Sequence, residues 1–174
     1  MSLKSISEQY GTVAVAIHWL SALLIVVVIG SGFRAGAMED AAALRVHVPI
    51  GVVILLLTLV RISWWCFMDY KPASVLMPSW QDHASRAVHI LFYVVILGTA
   101  ASGIGMVILS GAGPIIFGGD LATLTDFFDY PPRRPHGIGA RVIIALLILH
   151  VGAALFHHLL KRDQLLRRMW FGAR

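Results

Sequence analysis

The sequence predicts an all-α integral membrane protein that folds as an up-down four-helix bundle, with residues 1–174 in a single domain. The first observation is the composition: 58% of the residues are hydrophobic and only 13% are charged, which is typical of membrane proteins. The second is a set of four apolar runs, each close to or above the length of about 20 residues that a membrane-spanning helix needs. They cover residues 12–32, 46–68, 84–109 and 138–160. Because the connections are short, we expect neighbouring spans to be antiparallel.

Each span is delimited by its own sequence signals. No small-residue cleavage site follows the first apolar run, so we interpret it as a retained span and not as a signal peptide. The connection after the second span, DYKPASVLMPSWQDH, contains two prolines and ends in aromatic and acidic residues typical of a membrane interface. The connection before the fourth span contains GAGPIIFGGD and DFFDYPPRRPHG, which are too polar and turn-rich to remain in lipid. No internal repeat and no low-complexity tract is apparent.

The basic residues lie mostly at the ends of the apolar runs. This is the pattern of membrane topology and not of a nucleic-acid-binding surface, despite the net charge of +5, so we expect lipid around the bundle and no nucleic acid partner. The nine at one surface are Lys4, Arg61, Lys71, Arg86, Lys161, Arg162, Arg167, Arg168 and Arg174, and the five at the other are Arg34, Arg45, Arg133, Arg134 and Arg141. The positive-inside rule then places both termini in the cytoplasm. We expect the membrane to be a bacterial inner membrane.

Histidines inside the spans are the strongest functional signal, because ionisable groups in lipid are costly and usually functional. His136 and His150 are 14 residues apart, which is four helical turns less about 40°, so both rings leave the same face of the last span. The rise between them is about 21 Å. By depth, His47 pairs with His136 near the periplasmic side, and His18 pairs with His150 near the cytoplasmic side.

Two imidazole pairs across a bundle are the axial ligands that two b-type haems need. The single cysteine, Cys66, excludes covalent attachment of haem through C-x-x-C-H, and it excludes an iron–sulfur centre. Zinc would need three or four converging ligands per site, and no carboxylate lies in a span interior to contribute.

Other polar residues in the spans leave alternatives open. His89 lies at roughly the depth of His18 and competes with it as a ligand; we favour an interfacial role, or one beside a haem propionate, because each site needs only one partner for the last span. Arg61 follows His47 by 14 residues and so faces the bundle, where it can pair with propionates or reach the helix end. Arg45 and Arg141 can serve the periplasmic haem in the same way. His157 is better placed for a quinone headgroup than for iron.

Several of these motifs resemble one family. They are AIHWL, RVHVPIG, RAVHILFY and, most specifically, the last span with PHG, LHVGAALFHH and KRDQLLRRM. Together they resemble the bacterial cytochrome b561 family, whose best-understood type is a membrane-bound superoxide oxidase, over essentially the whole chain. The resemblance implies a four-helix protein with two b haems, whose ligands match His18, His47, His136 and His150. It also implies one-electron oxidation of superoxide and reduction of ubiquinone, a superoxide:ubiquinone oxidoreductase activity.

The charged residues near the two faces fit this implied activity. Arg133 and Arg134 directly precede His136, and Arg45 is close to His47, so a positive cluster at the periplasmic face would attract superoxide. These arginines can instead pair with neighbouring carboxylates or propionates. At the cytoplasmic face His157 and Lys71 are the candidates for contact with a quinone, Lys71 being the only lysine of its connection.

Two further functions compete with this hypothesis. The chain could be an electron-transfer subunit that anchors a dehydrogenase or a periplasmic redox partner, with the active site on that partner. It could also be a haem-free metal carrier, which would show no Soret band.

Overall fold

The computed structural model describes residues 2–37, 40–72, 78–124, 126–163 and 165–171, and Arg174 of the charge count lies outside this set. Five α-helices occur in the described residues: α1 (Thr12–Ala37), α2 (Leu44–Ser63), α3 (Ser79–Ser110), α4 (Gly113–Ile116) and α5 (Arg133–Phe156). Short 3₁₀ turns lie between α1 and α2 and between α4 and α5, and π-helical turns extend α2 (Trp64–Met68) and α5 (His157–Lys161). No strand occurs in these parts of the chain. The predicted all-helical membrane fold is confirmed, since four helices are long and apolar enough to span a bilayer.

The spanning helices extend beyond the apolar runs. The four candidate spans are Thr12–Gly36, Ala41–Met68, Ser79–Ser110 and Arg133–Lys161, so the third and fourth begin five residues before the hydrophobic segment. Hydropathy does not detect these additional turns, because they consist of polar residues that remain helical in the headgroup region. Pro135 fits in the first turn of α5, where its missing N–H would have no helical partner. His136 therefore lies inside a helix that holds its ring in place.

The helices form two closely packed hairpins. α1 packs along α2, α3 packs along α5, and α2 also contacts α3. The backbones of α1 and α5, and those of α2 and α5, hardly approach each other. In the ring α1–α2–α3–α5, the helices α2 and α5 therefore face each other diagonally, and the space between the hairpins is wider than the space within either of them.

An aliphatic layer fills the middle of the bundle. Ile25, Ile54 and Ile96 are its buried centre. Around them pack Leu24, Val28, Ile29, Ile50, Phe92, Ile143 and Leu147. Most other large apolar side chains point outward, as expected for a bundle surrounded by lipid.

The two termini fold together at one end of the bundle, which we call the terminal end. Both the backbone N–H and the hydroxyl of buried Ser5 donate to the carboxylate of Asp69, at 3.0 and 2.8 Å. The indole N–H of Trp19 donates to the Met169 carbonyl at 2.7 Å. The Arg168 guanidinium donates to the Glu8 carbonyl at 2.8 Å. The Ser5 bonds hold the N-terminal segment, residues 2–11, against the chain that follows α2, and the Arg168 bond holds it against the C-terminal segment, residues 165–171.

The opposite end, which we call the loop end, is closed by α4 and the turn after it. α3 stops at Gly111, whose φ of 65° is a left-handed conformation that glycine adopts without strain. Ile116 of α4 is almost fully buried. The Arg45 guanidinium fixes this segment to α2 by donating to the Ile116 carbonyl at 3.2 Å and to the Gly119 carbonyl at 2.7 Å.

Candidate functional site

Two imidazoles face each other near the loop end. The ring centroids of His47 on α2 and His136 on α5 are 5.9 Å apart. The Nδ1 atom of His47 lies 2.9 Å from the Val28 carbonyl on α1, and that of His136 lies 2.9 Å from the Thr99 carbonyl on α3. Because a carbonyl only accepts hydrogen bonds, each Nδ1 carries the proton and each Nε2 keeps its lone pair. This is the tautomer in which a histidine binds a metal through Nε2.

Small residues surround each of these rings. Ser31 Oγ lies 3.5 Å from His47 Nδ1, and Ser102 Oγ lies 3.3 Å from His136 Nδ1. A Cβ atom on Gly32 would lie only 2.7 Å from the His47 ring. One on Gly103 would lie 3.0 Å from the ring of His136. Each ring thus occupies a slot on the neighbouring helix that a larger residue would narrow.

Three imidazoles meet at the level near the terminal end. The ring centroid of His150 on α5 is 6.2 Å from that of His18 on α1 and 5.5 Å from that of His89 on α3. The two neighbours differ in their setting, because α3 and α5 pack closely whereas α1 and α5 hardly approach. A flat macrocycle therefore has more room between His18 and His150 than between His89 and His150.

Arg61 lies among these rings. Its Nη1 atom is 3.4 Å from His18 Nδ1, and it interacts electrostatically with His150 and His89. Its Nε is buried without a hydrogen-bond partner. A buried guanidinium N–H without an acceptor is costly, so the arrangement favours an anionic group at this position.

These residues fit a haem at each level. Metal–imidazole bonds of about 2 Å on both faces of one iron would put the two ring centres about 6 Å apart. The His47–His136 and His18–His150 separations of 5.9 and 6.2 Å agree with that value. Both pairs connect helices whose backbones hardly approach. The unpartnered Nε of Arg61 is available for a propionate.

The arginines proposed for anion attraction lie at the loop end, as the sequence predicts. Arg45 is exposed, and its guanidinium binds the carbonyls of the α4 segment. Arg134 is exposed at the start of α5. The guanidinium of Arg133 lies close to the backbone at Gly137, where a Cβ would be 3.0 Å from Nη1. All three positive charges are thus on the same end of the bundle as His47 and His136.

The two residues proposed for a quinone are not described in contact with each other. His157 pairs through Nδ1 with the carboxylate of Asp163. Burial would raise the pKa of Asp163, but the hydrogen bonds that its carboxylate accepts from His157 and from the Leu165 N–H, together with further electrostatic contributions, outweigh burial and lower the pKa. Lys71 is exposed after the end of α2 and interacts electrostatically with His89.

Sequence reasoning missed the groups that orient the histidines. The Val28 and Thr99 carbonyls belong to the main chain and carry no residue-type signal. The Ser-Gly pairs at 31–32 and 102–103 do carry a sequence signal, because the serine of each pair comes 13 residues after an intramembrane histidine.

A lipid-spanning helical bundle with opposed imidazoles inside it defines a class of protein, the haem-binding membrane cytochromes b. The family model of the prokaryotic cytochrome b561 matches residues 9–172, and the chain belongs to that family. It is therefore a membrane electron-transfer protein that binds b-type haem, and the resemblance inferred from the motifs is confirmed.

Two curated proteins of Escherichia coli (strain K12) are similar to the chain over nearly their whole length. Cytochrome b561 homolog 2 is 27% identical over 184 residues, which cover 97% of this chain and 95% of that protein. Cytochrome b561 homolog 1 is 23% identical over 172 residues, covering 93% of this chain and 97% of that protein.

Proposed function

We propose that this protein is a dihaem cytochrome b that oxidises superoxide at the loop end, on the periplasmic side of a bacterial inner membrane, and reduces ubiquinone at the terminal end. The reaction balances when two superoxide anions yield two O₂ and one quinone takes up two electrons and two protons to become a quinol. The observation that carries the proposal is the occurrence of opposed imidazole pairs at two levels of the bundle. The levels are about 21 Å apart along α5.

In this proposal His47 and His136 hold one haem, and His18 and His150 hold the other. A b-type haem bound between two protein imidazoles has no open coordination position and exchanges single electrons. The backbone carbonyls that accept from the loop-end rings keep each Nε2 unprotonated and aimed between the hairpins. Arg61 binds a propionate through its buried Nε. The isoleucine layer between the two levels excludes water from the middle of the bundle.

At the loop end the chain supplies positive charge where an anion would arrive. Arg45, Arg133 and Arg134 lie at the same end of the bundle as His47 and His136. Their combined field raises the local concentration of superoxide, which carries a single negative charge. The hydrogen bonds of Arg45 to main-chain carbonyls support this role, because they leave its full positive charge uncompensated.

At the terminal end His157 and Lys71 are proposed to contact the quinone. Because His157 uses Nδ1 to pair with Asp163, its Nε2 is the nitrogen left to meet a quinone oxygen. The hydrogen bond with the Asp163 carboxylate also holds the His157 ring in one orientation at this end of the bundle.

The experiment combines haem quantitation with rapid mixing. We expect two haems per chain, and reduction of both when the purified protein is mixed with a superoxide source in a stopped-flow instrument. Superoxide dismutase in the same mixture is the control and should abolish the reduction. Reduction that persists with dismutase present, or no reduction without it, contradicts the proposed activity. One haem per chain contradicts the dihaem assignment.

The alternative is an electron-transfer subunit for a dehydrogenase or a periplasmic redox partner. It predicts that a soluble subunit remains bound during purification and that its substrate, and not superoxide, reduces the haem.

A further inference from the structure

The first helix of each hairpin carries the same residues at the same spacing. In α1 the motif AIHWL contains His18, and in α3 the motif AVHIL contains His89. Seven residues after each histidine is an isoleucine of the buried central layer, Ile25 or Ile96. Ser-Gly follows 13 residues after each histidine, at positions 31–32 and 102–103. α3 thus repeats α1 with an offset of 71 residues.

The second helix of each hairpin also follows one pattern. α2 contains Arg-x-His ending at His47, and α5 contains Arg-x-His ending at His136. Seven residues later each helix contributes an isoleucine to the central layer, Ile54 or Ile143. The offset here is 89 residues, because the connection within the second hairpin is longer.

The structure repeats the contacts as well as the residues. In both hairpins the second-helix histidine bonds through Nδ1 to a carbonyl of the first helix, at 2.9 Å in each case. The serine three residues after that carbonyl lies next to the same nitrogen in both. Contrary to the expectation from the sequence alone, the chain therefore contains an internal repeat.

The repeat does not extend to every interior position, and one of its breaks lies at the level of His18, His89 and His150. His47 and His136 are equivalent and face each other across the α2–α5 diagonal. Fourteen residues further along both helices, on the same face and about 21 Å away, the equivalent positions hold Arg61 and His150. A guanidinium has no lone pair for a metal, so the arrangement of the loop-end pair cannot recur at this level.

We propose that Arg61 determines the axial partner of His150. With arginine at position 61, the α2–α5 diagonal cannot supply a second ligand, and His150 pairs with His18 of α1. With histidine at position 61, positions 61 and 150 would form a diagonal pair of imidazoles like His47 and His136. His18 would then no longer be needed as a ligand. This inference rests on the proposed assignment of two haems with His18 and His150 as one axial pair.

The position of Arg61 supports the proposal, because a side chain at this position can reach the space beside His18 and His150. Its guanidinium contacts the His18 ring at 3.4 Å, and its Nε is buried. It interacts electrostatically with both His150 and His89, so it lies among the three imidazoles and not at the lipid surface. The backbones of α2 and α5 hardly approach, which leaves the diagonal open for a macrocycle.

The test is a rescue of haem binding, read as haem per chain and as the bis-imidazole visible and EPR spectra. The starting variant is His18→Ala/His89→Ala, which removes every imidazole that α1 and α3 bring to this level; we expect it to retain only the loop-end haem. Adding Arg61→His should restore two haems per chain. Adding Arg61→Gln, which removes the guanidinium without supplying an imidazole, is the matched control and should leave one.

The outcomes separate this inference from the proposed function. Two haems in the wild type and one in the starting variant support the dihaem assignment whatever the rescue gives. One haem in the Arg61→His triple variant, or equal restoration by Arg61→Gln, overturns the role of position 61. Should the triple variant also lose the loop-end haem, Arg61→His/His18→Ala decides in its place, and one haem per chain there overturns the inference.

Discussion

At the scale of single residues, the imidazoles at the loop end are oriented by main-chain carbonyls of the neighbouring helix in the same hairpin. His47 and His136 each bond to a carbonyl of the first helix in their own hairpin, and that bond fixes both the ring plane and the tautomer. Gly32 and Gly103 shape the slots in which these rings lie. Their effect is to hold Nε2 where a metal can reach it.

Replacement of His136 by alanine should remove one haem and leave the other. The variant loses the α5 ligand of the loop-end pair, whereas His18 and His150 are about 21 Å away along the bundle. Haem extraction with protein quantitation measures the ratio, which should fall from two to one. His83→Ala is the control, since His83 is exposed and bonds only to the Ser79 carbonyl one turn earlier in the described structure. Retention of two haems in His136→Ala would rule out the pairing.

Replacement of Gly32 by alanine should weaken haem binding at the loop end. A Cβ there would lie 2.7 Å from the His47 ring, so the ring must move away from the Val28 carbonyl. Loss of such an orienting contact typically lowers metal affinity about 10- to 100-fold. Titration of the haem-depleted protein with haemin measures the change.

The neighbouring glycine provides a matched control for this substitution. Gly30→Ala is on the same helix, and its Cβ would meet nothing within 4 Å, so its titration should follow that of the wild type. Gly103→Ala, with a contact of 3.0 Å to His136, should have a smaller effect than Gly32→Ala. Equal affinities for Gly32→Ala and Gly30→Ala would show that the slot does not orient His47.

The residues of the site differ in how far the sequence predicts them. The sequence alone predicts that His136 and His150 lie on the same helix face, because their spacing of 14 residues is close to four helical turns. The choice between His18 and His89 cannot be made in that way, because both lie at one depth and only helix packing separates them. The hydrogen bond between His157 and Asp163 is not predicted, since it depends on how the chain turns after α5.

At the scale of elements, periodicity and hydropathy predict the four spans, but not their full lengths or their relationship. The helical ends at Ser79 and Arg133 escape detection because their residues are polar. The repeat escapes detection because its two parts have different offsets, 71 and 89 residues, so no single period runs through the chain. The packing of residues 2–11 under the bundle depends on tertiary contacts of Ser5 and Asp69 that no local pattern encodes.

The N-terminal segment, residues 2–11, should loosen when Asp69 is replaced by asparagine. The Asp69 carboxylate accepts from the Ser5 N–H and hydroxyl and from the Trp64 indole. Hydrogen bonds to a charged acceptor are worth about 1.5–3 kcal/mol each, so amide exchange in this segment should accelerate at least about tenfold. Hydrogen–deuterium exchange with mass spectrometry measures it. Asp40→Asn, which breaks an exposed ion pair at the loop end, should leave the segment unchanged.

The same contact sets a pH dependence for the segment. Burial alone would raise the pKa of Asp69, but the hydrogen bonds from Ser5, Tyr70 and Trp64 outweigh it and hold the pKa below the ordinary value of 3.8. The stabilisation is therefore complete above pH 3.8 and is lost as the pH falls through the lowered pKa. Exchange in residues 2–11, expressed relative to the intrinsic rate of unprotected amides at each pH, should rise below that pH in the wild type and stay constant there in Asp69→Asn. An equal rise in both would assign the transition to another group.

At the scale of the whole molecule, the proposed reaction with superoxide depends on the positive charge at one end of the bundle. The loop end combines the His47–His136 level with the positive charges of Arg45, Arg133 and Arg134. The field of such a cluster acts over about 8–10 Å at moderate ionic strength. It therefore raises the rate at which an anion arrives at this end of the bundle.

Replacement of the exposed Arg134 by glutamine should slow the reaction with superoxide and reduce its dependence on salt. Removing one positive charge near the entrance should lower the second-order rate constant about two- to fivefold at low ionic strength, and hardly at all at high salt, because screening already suppresses the attraction there. Stopped-flow measurements across a series of ionic strengths give both quantities. Arg86→Gln removes an equal charge at the terminal end, where Arg86 pairs with Asp82, and should leave the rate and its salt dependence unchanged. If both variants slow the reaction equally, only the net charge of the protein matters; if neither does, superoxide reaches the site without electrostatic attraction by Arg134.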